Sequence, residues 1–154
     1  MTIQIDEIDL KILNVLQGKG RTRRNELAEI VHLSIPSVSE RLRKLEENGF
    51  IVEYVAKLNS IKLGFDITAF IFVTVDSSKH FQTFIDHANN LDEVQEIHAI
   101  TGDGSHLLKV RTENTSTLEK LLSKIQAWSG IVHTKTHLVL SSPKETSKIK
   151  LYKK

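Results

Sequence analysis

Apolar residues recur at helical spacing three times in the first third of the chain. Ile8, Ile12, Leu13 and Leu16 mark one face of a helix from Asp6 to Gln17, with Asp6 as its cap and Gly18 and Gly20 as its stop. Leu27, Ile30 and Val31 mark the inner face of a second helix, from about Arg23 to Val31, with Thr22 as the expected cap. Ile35, Val38, Leu42 and Leu45 line the inner side of a third. Ser34 can cap that helix with Pro36 in its first turn, Ser37 and Glu40 form a rival capping pair, and Gly49 suits its end. Only His32, Leu33 and Ser34 separate the second helix from the third, so the spacing predicts a helix-turn-helix.

The period then changes. Ile51 to Asn59 is a β-rich run, and Ser60 to Asp66 reads as a boundary. Beyond it come a strand at Ile67 to Asp76, a helix at Lys79 to Asn89, a strand at Val94 to Thr101 and a turn at Gly102 to Ser105. A returning strand at His106 to Thr112, a helix at Ser116 to Trp128 and a last strand at Ile131 to Leu140 complete the series. The order βαββαβ predicts a ferredoxin-like half-sandwich: one antiparallel sheet with helices on one face. The fold class is therefore α+β, a winged-helix-like helix-turn-helix domain followed by a ferredoxin-like domain. The expected divisions are residues 1–60, a linker over 61–66, the second domain over 67–142 and a lysine-rich tail over 143–154. Apolar residues on the sheet's uncovered face would favour a partner subunit.

Composition changes this picture little: 40% hydrophobic and 26% charged residues are ordinary for a soluble protein. The absence of cysteine excludes disulfides and thiol chemistry. Asp6, Glu7 and Asp9 stand where a secretory leader would carry basic and apolar runs, and no apolar run is long enough to span a bilayer. The cytoplasm is the expected location. Charge is more informative in its placement than in its total of +2. Residues 1–60 are neutral, 61–143 carry −2 and 144–154 carry +4. Within the neutral first part, cations cluster at Lys19, Arg21, Arg23 and Arg24 and again at Arg41, Arg43 and Lys44, which can form a phosphate-binding surface. The lysine-rich end could touch phosphate too, but the expectation is a solvated, disordered end.

On the third helix, Ser37 and Ser39 followed by Arg41, Arg43 and Lys44 suit docking in a DNA major groove. Short hydroxyls let the first turn approach base edges, and long cations reach bases or phosphates. Alone, the segment reads better as an amphipathic helix with a solvated charged face; the tight helix pair before it shifts the weighting. Arg21, Arg23 and Arg24 rank second, as phosphate contacts. The seven histidines give no metal site: His133 and His137 would lie roughly 13 Å apart on a strand, and no ligand cluster joins His80 and His87. No nucleophile–base pair is legible, and Gly102 to Ser105 has neither Walker nor Rossmann spacing. No enzyme, cofactor or metal is expected.

In order and spacing, several pieces resemble the Lrp/AsnC, or feast/famine, family of bacterial and archaeal transcriptional regulators. They are Asp9-x-x-Ile12-Leu13, Glu26-Leu27-Ala28, Leu33-Ser34, Val38-x-x-Arg41-x-x-x-Leu45-Glu46, Gly49-x-Ile51-x-x-Tyr54, Leu63-Gly64, Thr101-Gly102 and Leu107-Leu108-Lys109-Val110. The resemblance runs from Ile5 to about Leu140. It implies an N-terminal domain binding double-stranded DNA and a C-terminal domain for oligomerisation and amino-acid sensing, with homodimers gathering into octamers. It also implies an effector site where dimers meet, near the hairpin turn. Here that region is Gly102, Asp103, Gly104, Ser105 and His106, with Thr134 and Thr136 as polar neighbours. Two residues depart from the family pattern: Gly104 stands at the turn's usual tyrosine and Ser105 at its second aspartate, so Asp103 can serve an effector ammonium only where it points into the site, and the equal alternative is a plain turn that binds no amino acid. Arg23 stands near a usual Ser or Thr cap, so the second helix is expected to start differently. The alternatives are a small-molecule sensor or protein-interaction module without DNA binding and, third, a ferredoxin-like enzyme.

Overall fold

The computed structural model describes residues 5–152. The chain forms two compact units, Met1–Lys57 with Lys144–Lys154, and Leu58–Pro143. The first holds three helices, α1 (Glu7–Gly18), α2 (Arg24–Val31) and α3 (Ile35–Glu47). At α1 the carboxylate of Asp6 accepts from the Asp9 N–H at 2.8 Å and Asp9 returns the bond at 3.1 Å, a reciprocal cap that satisfies two otherwise orphaned donors. α2 ends on His32 at φ 56, a left-handed residue that turns the chain sharply into α3. Ser34 caps α3, not the Ser37–Glu40 pair, and Gly49 at φ 71 closes it.

The three helices bury one core: Ile12 and Leu13 from α1, Leu27, Ala28 and Val31 from α2, and Val38, Leu42 and Leu45 from α3. Each of the Ile, Leu and Val side chains contributes on the order of 1.5–3 kcal/mol when fully removed from water. Two expected core residues lie outside it. Ile30 is 48% exposed because Ala28, on the face that packs, takes its place. Ile35 is 49% exposed because it is the first residue of α3, ahead of the turn that begins the buried stripe.

Thr22 does not cap α2 either: its hydroxyl donates to the Lys19 carbonyl at 2.6 Å, and Arg23 holds the cap position without a side-chain bond. The run from Ile51 to Asn59 forms no strand, since no strand of the described residues pairs with it. Val52, Val55 and Leu58 are left exposed, and Tyr54 is anchored by a 2.9 Å bond from its hydroxyl to Glu46.

The lysine-rich end is not a solvated tail apart from the folded body. Ile149 donates its N–H to Gln17 Oε1 at 2.7 Å, and Gln17 Nε2 donates to the Ile149 carbonyl at 3.2 Å. Leu151 packs against the helical core. An amide side chain that reads one residue's donor and acceptor together, plus an apolar anchor, holds a segment that composition alone marks as free.

The second unit follows the expected order: β1 (Ile67–Val75), α4 (Phe81–Asn89), β2 (Val94–Ala99), β3 (His106–Thr112), α5 (Thr115–Gln126) and β4 (Ile131–Leu138). The sheet is antiparallel in the order β2-β3-β1-β4, with Ile71 opposite both Leu108 and Thr136. Alternate β1 residues Ala69, Ile71, Val73 and Val75 are buried with Leu108 and Val110 under Phe84 and Ala88 of α4 and Leu118, Leu121 and Ile125 of α5. Phe70, Phe72, Leu107, Lys109 and Arg111 have the opposite parity and form the half-buried face away from the helices. α5 begins one residue earlier than its apolar spacing suggests because Asn114 caps it, bonding the Thr117 N–H at 3.0 Å.

Candidate nucleic-acid interface and effector turn

The third helix places its polar residues as its spacing dictates, but their partners differ. Arg41 does not stand free. Its Nη1 donates to Asp9 Oδ1 at 2.7 Å and to Asp6 Oδ2 at 2.8 Å, joining α3 to the start of α1. The bonds to Asp9 and Asp6 raise its already high pKa against the cost of burial. Burial opposes ionisation of Asp6, yet the Asp9 N–H and the Arg41 guanidinium hold that carboxyl below its usual range. Arg43 is clasped along its own helix by Glu40 at 2.6 Å and Glu47 at 2.6 Å, which push its pKa further up. Lys44 lies 3.6 Å from Glu40 and is largely exposed. Ser37 is exposed and shares a 2.8 Å bond with Ser34, while Ser39 is half-buried.

The cations therefore differ in their partners: Arg41 bonds across to the start of α1, and Arg43 bonds two carboxylates of its own helix. Arg21, Arg23 and Arg24 are exposed, and no ion pair joins them among the described residues. Arg24 acts electrostatically on Tyr54, whose hydroxyl bonds Glu46 of α3, so the start of α2 lies near the end of the third helix. Partial burial and the Glu46 carboxylate push the Tyr54 hydroxyl up to about 12. A cleft of about 450 Å³ runs between the start of α1 and α3, lined by Ile5, Asp6, Asp9, Ser37, Arg41 and Lys44 among others. Local spacing accounts for Asp6 as a cap and gives Asp9 no partner, so their bonds to Arg41, 35 and 32 residues away, leave no sequence signal.

In the sheet unit, the turn before β3 closes tightly on β1. Gly104 has φ +130, and a Cβ there would stand 3.1 Å from the Val73 carbonyl oxygen. The Ser105 N–H donates to that carbonyl at 2.9 Å. The Ser105 hydroxyl is fully committed: it donates to the Val73 carbonyl at 3.2 Å, accepts from the Val75 N–H at 3.1 Å and meets His106 Nδ1 at 2.9 Å. His106 is 1% exposed, wedged edge-on to Phe81 with Phe84 beside it, and burial pushes its pKa down. Gly102 and Asp103 are exposed at the tip.

Thr134 and Thr136 are not brought to this turn within the chain. Their strand lies across β1 from β3, opposite Val73 and Ile71, and they share the parity of those buried residues. Thr134 accepts from Gln126 Nε2 of α5 at 2.9 Å. Of the candidate effector residues, Asp103 is thus the exposed carboxylate, while the Ser105 hydroxyl is bonded within the unit and His106 is buried.

His80 bonds Asp76 at 2.6 Å, His87 packs on Trp128 and His137 on Phe72. Among the described residues no helix is long and apolar enough to cross a membrane.

Two family models cover the chain: a winged helix-turn-helix DNA-binding domain over residues 5–52 and an Lrp/AsnC ligand binding domain over residues 68–149. The HTH-type transcriptional regulator FL11 of Pyrococcus horikoshii is 35% identical over 152 residues, spanning 97% of this chain and 98% of that protein. The leucine-responsive regulatory protein of Escherichia coli is 35% identical over 148 residues, 94% of this chain and 90% of the relative. A Neisseria meningitidis transcriptional regulator, NMB0573, solved as an L-Met complex, superposes with a TM-score of 0.91 at 28% identity, covering 96% of this chain and 97% of that one.

Proposed function

The chain belongs to the Lrp/AsnC family of DNA-binding transcriptional regulators, and from that premise we propose how its own residues divide the work. α3 enters the major groove of double-stranded DNA with Ser37 and Lys44 toward base edges. Arg21, Arg23 and Arg24, unpaired at the start of α2, hold the flanking phosphates. Arg41 acts indirectly, by fixing α3 against Asp6 and Asp9. The observation that carries this division is the contrast in partners: no ion pair joins Arg21, Arg23 or Arg24 among the described residues, whereas Arg41, Arg43 and, more loosely at 3.6 Å, Lys44 each face a carboxylate.

The sheet unit takes an amino acid. A leucine-responsive relative and a relative solved with L-Met support that class of effector. The turn at Gly102 to Ser105 offers Asp103 to the ammonium end, and the effector selectivity differs from that of relatives carrying a second carboxylate there. Dimers form through the face bearing Phe70, Phe72 and Leu107 and assemble into larger rings, octamers by family resemblance, in the cytoplasm. A dimer presents two α3 helices to a symmetric site with half-sites about one helical turn, or a multiple, apart.

Selection of binding sites from random duplex DNA, with and without each amino acid, tests this directly. A symmetric consensus whose retention shifts with an amino acid supports it. A folded protein that enriches no sequence sinks the regulator reading in favour of a sensor without DNA binding. Calorimetry on wild type and Asp103→Ala tests the effector end: binding that survives Asp103→Ala unchanged removes the role given to that residue. Light scattering that finds only monomer at micromolar concentration sinks the assembly.

A further inference from the structure

The helical body of a DNA-binding protein is ordinarily basic, yet residues 1–57 here hold as many acidic as basic side chains, nine of each. The segment that returns to this body, 144–154, holds five lysines and one glutamate. The whole net charge of the body, +4, therefore comes from a segment separated from it by the entire sheet unit in sequence. That segment is held at several points. Lys57 Nζ donates to the Glu145 carbonyl at 3.0 Å, and Gln17 pairs with the backbone of Ile149 in both directions. Leu151 joins the core. Lys148 Nζ lies 3.4 Å from where a Cβ of Gly18 would stand, putting a cation at the end of α1, which has no basic residue in its own last turn. Lys144, Lys148 and Lys150 remain exposed.

We propose that the docked C-terminal segment is part of the DNA-binding surface. Gln17 and Leu151 seat it, and its lysines give an otherwise neutral helical body its attraction for the phosphate backbone. The inference rests on the DNA-binding reading above.

Seating matters because of distance. A body of this size has a radius of gyration of about 11 Å, close to a Debye length of about 10 Å at 0.1 M salt. Lysines fixed to it act on any duplex it touches, whereas the same lysines on a free end spend most of their time screened. The exposed Arg21, Arg23 and Arg24 supply local contacts, but in a neutral body the acidic residues cancel their field at longer range.

The test uses the full chain, a non-specific duplex and three proteins: wild type, Lys144→Gln/Lys148→Gln/Lys150→Gln, and Gln17→Ala/Leu151→Ala. Binding is measured across a salt series, and amide exchange is followed at Ile149. The three lysines are exposed, so their replacement tests charge without touching the core. The expected results are a slowly exchanging Ile149 amide in wild type and a salt slope reduced by up to about 0.9 for each lysine that meets a phosphate. Gln17→Ala/Leu151→Ala should free the Ile149 amide and weaken binding in the same direction. Lysine replacements that leave both affinity and slope at the wild-type values overturn the proposal while leaving the DNA reading intact. So does a wild-type Ile149 amide that exchanges as fast as an unstructured peptide. Wild type that retains no duplex at low salt defeats the DNA reading itself, and this inference falls with it.

Discussion

Arg41 of the third helix and Asp9 of the first share a 2.7 Å hydrogen bond with side chains 29% and 14% exposed. The pair ties α3 to the first turn of α1. A charge-assisted bond in such partial burial is worth about 1.5–3 kcal/mol, while the companion bond to half-exposed Asp6 adds little. Arg41→Ala should therefore destabilise the helical unit by about that amount, and a double-mutant cycle with Asp9→Ala should return a coupling of about 1–3 kcal/mol. Denaturant unfolding measures both. Because Asp6 titrates below its ordinary 3.8, the stability it contributes is present above that value and lost as pH falls through the lowered one. An Arg41→Ala protein of unchanged stability would return Arg41 to the role of a free base-reading residue.

His106 predicts a second pH dependence, in the sheet unit. Burial holds its pKa below the ordinary 6.5, so the folded state keeps it neutral while the unfolded chain protonates. Stability from this group is complete above about pH 6.5 and declines as pH falls from there through the lowered folded value. Melting of the sheet unit between pH 7.5 and 5.5 should show that loss, and His106→Leu should flatten it. A wild-type melt independent of pH over this range contradicts the buried neutral imidazole.

At the turn, Gly104→Ala should cost about 1–3 kcal/mol, because φ +130 suits glycine alone and the new Cβ presses on the Val73 carbonyl. Gly102→Ala has the same conformational cost without the contact, since nothing lies within 4 Å of its Cβ position. Thermal melts of the two variants should separate, with Gly104→Ala the lower. Equal melts would mean that the turn is free to move off β1.

Most of the architecture was legible because its signals are local. Period 3.6 and period 2 alternate in the order of the elements, Asp6 and Ser34 cap where short polar residues should, and the βαββαβ order leaves few topologies. What escaped depends on partners distant in sequence. The Ile51 to Asn59 run has the residues of a strand but no pairing strand among the described residues. The bonds from Arg41 to Asp9 and from Gln17 to Ile149 span 32 and 132 residues, beyond any local pattern. At the site, residue type marks Arg41 and Arg43 as candidate DNA contacts, but it gives no sign of the carboxylates that bond them, Asp9 and Asp6 from another helix and Glu40 and Glu47 along the same one. Thr134 and Thr136 carry hydroxyls suited to an effector, but their strand lies across β1 from β3, and Thr134 bonds Gln126 of α5.

The proposed hold on duplex DNA runs through α3 and the exposed arginines at the start of α2. Its most direct measurement is the salt dependence of duplex binding by the full chain, wild type against Arg23→Ala/Arg24→Ala. The expected result is a linear fall of log affinity with log salt, with a slope smaller by about 0.9 for each arginine removed and stability unchanged. A correctly folded protein whose retention is absent at low salt, or indifferent to both salt and the two arginines, contradicts it.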